Sequence, residues 1–224
     1  MLDEVSDAEQ GEKPVNLIIL AGGRGTRMGT SHKHEMMLAG KSLYDHVLDR
    51  IAPVCDSIIV VGSSDNTAGL ARPHVRVVCD AVPGEGPLGG IWSGLRASSS
   101  ALNLIMGADM PCGSPTLAQA MEQRAITAGL DILYPSIDGL VEPLFAIYSR
   151  RVADIAGELL AAGRHSVRGL FKCPELNIGI VDRTFVQQYD AKLASFFNVN
   201  TSDDLVMAEY MLTRREKCLQ EEQT

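Results

Sequence analysis

VNLIILAGGRGTRMGTSHK, residues 15–33, decides the fold of this 224-residue chain. Its first seven residues, VNLIILA, form a mostly apolar run of strand length, the mark of a strand buried on both faces. A glycine-rich turn follows at once. Working outward, Ser42 caps a helix in which Leu43, Val47, Ile51 and Val54 fall near one face. DSIIVVG (56–62) and VRVVCD (75–80) read as further strands, and GPLGGIWSGLRAS (86–98) as a helix with proline in its first turn. LNLIMGAD (102–109) is another strand, and Ser114-Pro115 opens a helix to about Ala128. DILYP (131–135) and EPLFAIYS (142–149) are extended, Arg150 to Ala162 is helical and is ended by Gly163. LNIGIV (176–181) is a last strand, and a helix from Asp203 closes the chain. This alternation predicts an α/β fold, a three-layer αβα sandwich around a mostly parallel, Rossmann-like sheet. In such sheets ligands bind beyond the carboxyl ends of the strands, so chemistry is expected just after them.

The loop at 20–33 meets that expectation. Glycines 22, 23, 25 and 29 let backbone N–H groups converge on an anion without obstruction by Cβ atoms. From Val15 to His34 no residue is acidic, while Arg24, Arg27 and Lys33 all fall there. Guanidinium groups fork onto phosphate, and a lysine serves as a movable point charge. Two commoner glycine loops fail on spelling. No register supplies the Walker A spacing, and from Gly23 the sixth position of a dinucleotide fingerprint is Met28.

Composition narrows the partners. A hydrophobic content of 46% with 21% charged residues is globular, so a disordered or collagenous chain is excluded. A net charge of -8 argues against nucleic acid, which needs a basic footprint. The five cysteines, at 55, 79, 112, 173 and 218, have no CxxC pair, which points to a reducing, cytoplasmic setting. The acidic segment MLDEVSDAEQGEKP has no apolar centre and does not read as a signal peptide, and no apolar run is long enough to span a bilayer. Residues 1–13 read as a flexible acidic tail, 14–218 as a single domain and 219–224 as a frayed tail.

LAGGRGTRMG followed by Lys33 resembles the signature of nucleotidyltransferases with a glycosyltransferase-A-like fold. GPLGGI (86–91), GADMP (107–111), EPLFAIYS (142–149) and FFNVNTSDDL (196–205), in that order, resemble the molybdenum cofactor guanylyltransferase branch, over about Val15 to Met211. The resemblance implies transfer of GMP from GTP to the phosphate of molybdopterin, with Mg²⁺, release of pyrophosphate, and possible transient molybdoenzyme or cofactor-insertion partners. It implies that the backbone at Leu20, Ala21, Gly22 and Gly23 holds the triphosphate, and that Lys33 offsets charge on the α-phosphate. It puts the metal on Asp109 and Arg27 on the β- and γ-phosphates. Asp80 is expected to face guanine or its ribose, and Asn198 and Asn200 the acceptor or the metal.

The residues read on their own agree in part. Asp109 directly follows a strand, where a hard oxygen ligand suits Mg²⁺, although a turn aspartate ahead of Pro111 has the same spelling. Asp80 could equally be a strand-end turn residue, and Asn198 and Asn200 helix caps. Arg164, His165 and Arg168 form a second basic knot, a possible contact for the acceptor's phosphate or a solvated helix start. His32 and His34 read as exposed loop histidines. Where the resembled family tends to carry asparagine, this chain has Gly62-Ser63, so guanine against cytosine stays open. A cytidylyltransferase on the same acceptor, a sugar-phosphate nucleotidyltransferase and a nucleotide-binding regulator without turnover are the alternatives.

Overall fold

The computed structural model describes residues 15–22, 33–63, 67–82, 84 and 86–221, with side chains as far as Thr213. The strands are β1 (Val15–Leu20), β2 (Met37–Leu38), β3 (Lys41–Ser42), β4 (Ser57–Gly62), β5 (Val75–Cys79), β6 (Leu102–Gly107), β7 (Ile132–Ile137), β8 (Leu140–Val141), β9 (Phe145–Ser149) and β10 (Ile178–Val181). The helices are α1 (Leu43–Ile51), α2 (Thr67–Leu70), α3 (Pro87–Ala97), α4 (Pro115–Ala128), α5 (Val152–Ala161), α6 (Arg183–Gln187) and α7 (Ser202–Glu221). The main sheet runs β10-β7-β9-β6-β1-β4-β5, with β8 paired to β7. Along that path β9 is antiparallel to both β6 and β7 and the other pairings are parallel, while β8 is antiparallel to β7.

Strand side chains alternate between the faces, and the apolar run of β1 divides accordingly. Leu17 and Ile19 join a core with Val47, Ile51, Leu117 and Met121 of α1 and α4. Ile18 joins the opposite core with Leu88, Ile91, Val152 and Ala156 of α3 and α5. These are the three layers expected. The helix starts are spelled as the sequence predicts: Ser42 Oγ accepts the N–H of Asp45 at 3.0 Å, and Ser114 Oγ accepts that of Leu117 at 3.4 Å.

A third, smaller core packs Met36, Leu38, Leu43, Cys112, Ala194 and Val199 against Ala208 and Leu212 of α7. It joins the segment after Lys33 to the segment around Val199, and so holds two distant pieces of chain at one end of the sheet. At the opposite rim, Asn16 Nδ2 donates to Asn103 Oδ1 at 3.1 Å, Ser98 completes a buried polar cluster with them, and the exposed Ser57 of β4 donates to Asn16 Oδ1 from its edge. No described helix is long and apolar enough to cross a membrane.

Candidate active site

The site begins where β6 leaves the sheet. Ala108 N–H donates to Leu20 O at 3.0 Å, so the exits of β6 and β1 are tied together. Asp109 follows in a tight turn. Gly107 makes room for it, because a Cβ there would fall on Asp109 Oδ1. The backbone carbonyl of Asp109 accepts Val199 N–H at 2.9 Å, which docks the 198–200 segment beside it.

Lys33 opens a short 3-10 turn (Lys33–Glu35) that the buried Met36 anchors in the third core. Its ammonium pairs with the Asp109 carboxylate and donates to Asn200 Oδ1 at 2.7 Å. Asn200 is fixed in turn: Nδ2 donates to Asn198 O at 3.2 Å, and its N–H donates to Asp204 Oδ2 at 2.8 Å. Asp204 also accepts Thr201 N–H, and these donors, with Lys33 nearby, hold its carboxyl below the usual range. The start of α7 is therefore organised by Thr201 and Asp204, and Asn200 turns its amide oxygen to Lys33 instead of capping the helix.

Glu142 was assigned no part by the sequence, yet it lies at this end. Register pairs Met106 with Phe145 across antiparallel β6 and β9, Gly107 N–H donates to Leu144 O at 3.3 Å just beyond, and the charge of Asp109 reaches Glu142. Glu142 Oε1 accepts Leu144 N–H at 2.9 Å, and Asn198, whose Nδ2 donates to Phe196 O at 3.2 Å, lies near the carboxylate. Burial, assisted by the charge of Asp109, pushes its pKa up. The one available signal was a charged residue immediately before proline at the head of an apolar strand.

The other expected residues spread along the same edge. Asp80 ends β5, two strands beyond β1, which at the usual spacing is about 14 Å from the β6 exit. Its Oδ1 accepts Val82 N–H at 3.0 Å and the Ser93 hydroxyl at 3.3 Å, so it does shape a turn, while Oδ2 has no described protein partner. Gly89 lets α3 come this close, since a Cβ there would meet Val82 O at 3.1 Å and Asp80 Oδ1 at 3.3 Å.

One expectation needs correction, that for His34. Ala21 N–H donates to Val61 O at 2.8 Å, and Leu20 is the last ladder residue of β1. Gly22 is the first residue past the ladder whose amide can face a phosphate. His34 is buried, 2% exposed, with its ring edge-on to Tyr44, because the 3-10 turn that presents Lys33 rotates the next side chain inward. Gly23, Arg27 and His32 lie outside the described residues.

Asp109 Oδ2 and Asn200 Oδ1 already converge on one cation, the Lys33 ammonium. A carboxylate with an amide oxygen is a donor set of the hard kind that Mg²⁺ takes, completed by phosphates and water. Among the described residues no group of three or more His, Cys, Asp or Glu side chains is placed to hold a metal alone. What the arrangement can do is set one mobile cation and one carboxylate against a phosphate chain entering over the β1 turn.

Residues 17–177 match the MobA-like NTP transferase domain. The chain is 33% identical to a probable molybdenum cofactor guanylyltransferase of Natranaerobius thermophilus, over 90% of this chain and 98% of that protein. It is 29% identical to a molybdenum cofactor guanylyltransferase of Desulfosudis oleivorans, over 86% and 93%. The crystal structure of molybdopterin-guanine dinucleotide biosynthesis protein A from Archaeoglobus fulgidus superposes with a TM-score of 0.78 at 29% identity, covering 89% of this chain and all of that one. With an α/β sheet of this order, a lysine–carboxylate pair beyond β1 and β6, and likeness over nearly its whole length, the chain belongs to the MobA-like nucleotidyltransferase family.

Proposed function

We propose that the chain transfers GMP from GTP to the terminal phosphate of molybdopterin, releasing pyrophosphate and forming molybdopterin guanine dinucleotide. The observation that carries this is the convergence of Lys33, Asp109 and Asn200 at the carboxyl ends of β1 and β6. The relatives' names supply the substrates.

Nucleotidyl transfer asks a protein for positioning and charge neutralisation, with little covalent chemistry of its own. The triphosphate lies over the turn after β1, against the Gly22 amide and the cationic residues that follow it. Asp80 Oδ2 accepts from the N–H edge of the base, at the far end of the same sheet edge. An acceptor phosphate oxygen attacks the α-phosphorus in line. The bond from the α-phosphorus to the bridging oxygen breaks, and pyrophosphate leaves with the electron pair. The acceptor phosphate is already ionised at neutral pH, so no general base is assigned. Lys33 moves its charge onto the α-phosphate as negative charge builds there. Magnesium, held by Asp109 with the oxygen of Asn200, supplies further neutralisation of the phosphates when bound. Arg164 and Arg168, exposed after α5, are the cations for the acceptor's phosphate. Cys55, Cys79, Cys112 and Cys173, none of them in a disulfide among the described residues, support a cytoplasmic setting, from which the product passes to molybdoenzymes.

The test is a panel of four nucleoside triphosphates with Mg²⁺ and molybdopterin, read as pyrophosphate release and dinucleotide product. GTP is expected to react fastest. A CTP preference transfers the reading to cytidylyl transfer. Binding of GTP with no pyrophosphate from any member makes the protein a non-catalytic nucleotide binder.

A further inference from the structure

Lys33 and the proposed metal lay claim to the same two oxygen atoms, and the geometry decides how many cations these can serve. Asp109 presents one carboxylate oxygen to the site. Oδ1 is tucked against the exit of β6, so close that a Cβ on Gly107 would fall on it. Oδ2 is left, and the Lys33 ammonium pairs with it. Asn200 likewise presents one oxygen. Its Nδ2 donates to Asn198 O at 3.2 Å, so its amide oxygen faces Lys33, which donates to it at 2.7 Å. The turn beneath is fixed, because Asp204 Oδ2 accepts the N–H groups of Asn200 and Thr201, each at 2.8 Å.

A divalent ion bridging those two oxygens must lie within about 5 Å of the ammonium, the sum of the two bond lengths. The pair is shielded, with 15% of the Lys33 side chain and 24% of that of Asp109 exposed. Water screens little there, and two cations so close repel strongly. Lys33 can leave without moving the chain. Its backbone is held by Met36 N–H on Lys33 O at 3.2 Å and by the burial of Met36, while the flexible four-carbon stem lets the ammonium swing.

We propose that the oxygens of Asp109 and Asn200 form a one-cation site with the Lys33 ammonium as its built-in occupant. Lys33 is displaced when a divalent ion enters, and is thereby released toward the phosphate. Metal loading and delivery of Lys33 are then one event. This rests on the reading above that Asp109 and Asn200 hold the metal.

The test is Mn²⁺ binding to the full chain without nucleotide, read from the EPR signal of the free ion. Lys33→Met removes the competing charge and keeps an unbranched stem, and its Mn²⁺ affinity is expected to exceed the parent's by about tenfold or more. Lys41→Met removes an equal charge from a lysine paired with the exposed Asp49, and is expected to match the parent. Unchanged or weaker binding in Lys33→Met, an equal gain in Lys41→Met, or no binding by any of the three overturns the proposal.

A second readout places the ion. In ¹H–¹⁵N spectra the Asn200 side-chain amide, identified by its loss in Asn200→Asp, is expected to broaden at lower Mn²⁺ in Lys33→Met than in the parent. Adding Asp109→Asn to Lys33→Met is expected to keep that line sharp. Broadening that persists there puts the ion on other groups and overturns the exchange. Tightened binding in a protein that transfers no nucleotide overturns the proposed activity and leaves the exchange intact.

Discussion

The ammonium of Lys33 has three N–H donors, and two are committed to Asp109 and Asn200. That leaves one for an incoming phosphate, and a full swing of the side chain frees the rest. On the proposed role, Lys33→Ala lowers turnover about 10²–10³-fold, the usual cost of one preorganised donor, while GTP affinity falls far less. Equal losses in both quantities assign Lys33 to ground-state binding. Gly107 gives a second test at this scale. A Cβ at that position meets Asp109 Oδ1, the end of a side chain that can swing away. Gly107→Ala is therefore expected to cut transfer by about tenfold or more while the melting temperature moves by only a few degrees. A sharp loss of stability with normal activity per folded molecule refutes this. Lys33 and Asp109 were legible because each follows a strand and carries the charge a phosphate site needs. Asn200 was marked by the resemblance alone, since an asparagine before a helix has the same spelling whether it caps or reaches elsewhere.

Among the elements, α4 buries a liability. Glu122 is 5% exposed, Oε1 has no described hydrogen-bond partner, and burial with the nearby charge of Asp56 pushes its pKa up to about 7. A carboxyl raised from 4.5 binds more protons folded than unfolded, so it lowers stability as pH rises from about 4.5 to 7 and the loss is complete above that. Glu122→Gln, which cannot ionise, is expected to be more stable than the parent by about 1–3 kcal/mol at pH 8. The gap should close toward pH 4 in urea titrations, and one independent of pH would refute the assignment. The period and caps of α4 were plain in the sequence, but which of its polar residues faces inward was not, because Glu122 sits one place beside the apolar Met121. Asn16 and Asn103 were hidden likewise, as single polar residues inside apolar strands that pair only once β1 and β6 lie in register.

For the molecule as a whole, the two large cores build the sandwich and the small third core builds the site. Val199 is fully buried in that third core, and its flanks are Asn198 and Asn200. Val199→Ala is expected to cost about 1–2 kcal/mol in denaturant unfolding, yet to reduce kcat/KM more than that loss accounts for. Activity unchanged in the folded fraction separates the core from the site. The layer order was readable from strand–helix alternation, which is a local signal repeated along the chain. The reversed direction of β9 was not, since an apolar strand looks alike read from either end, and Glu142 was missed with it. That reversal sends Ser149 to the opposite rim, where its hydroxyl donates to Asp131 Oδ1 at 2.9 Å. The neighbouring exposed Arg150 therefore stands a whole strand length, about 17 Å, from the chemistry. A dye or surface tether mounted there watches the molecule from behind.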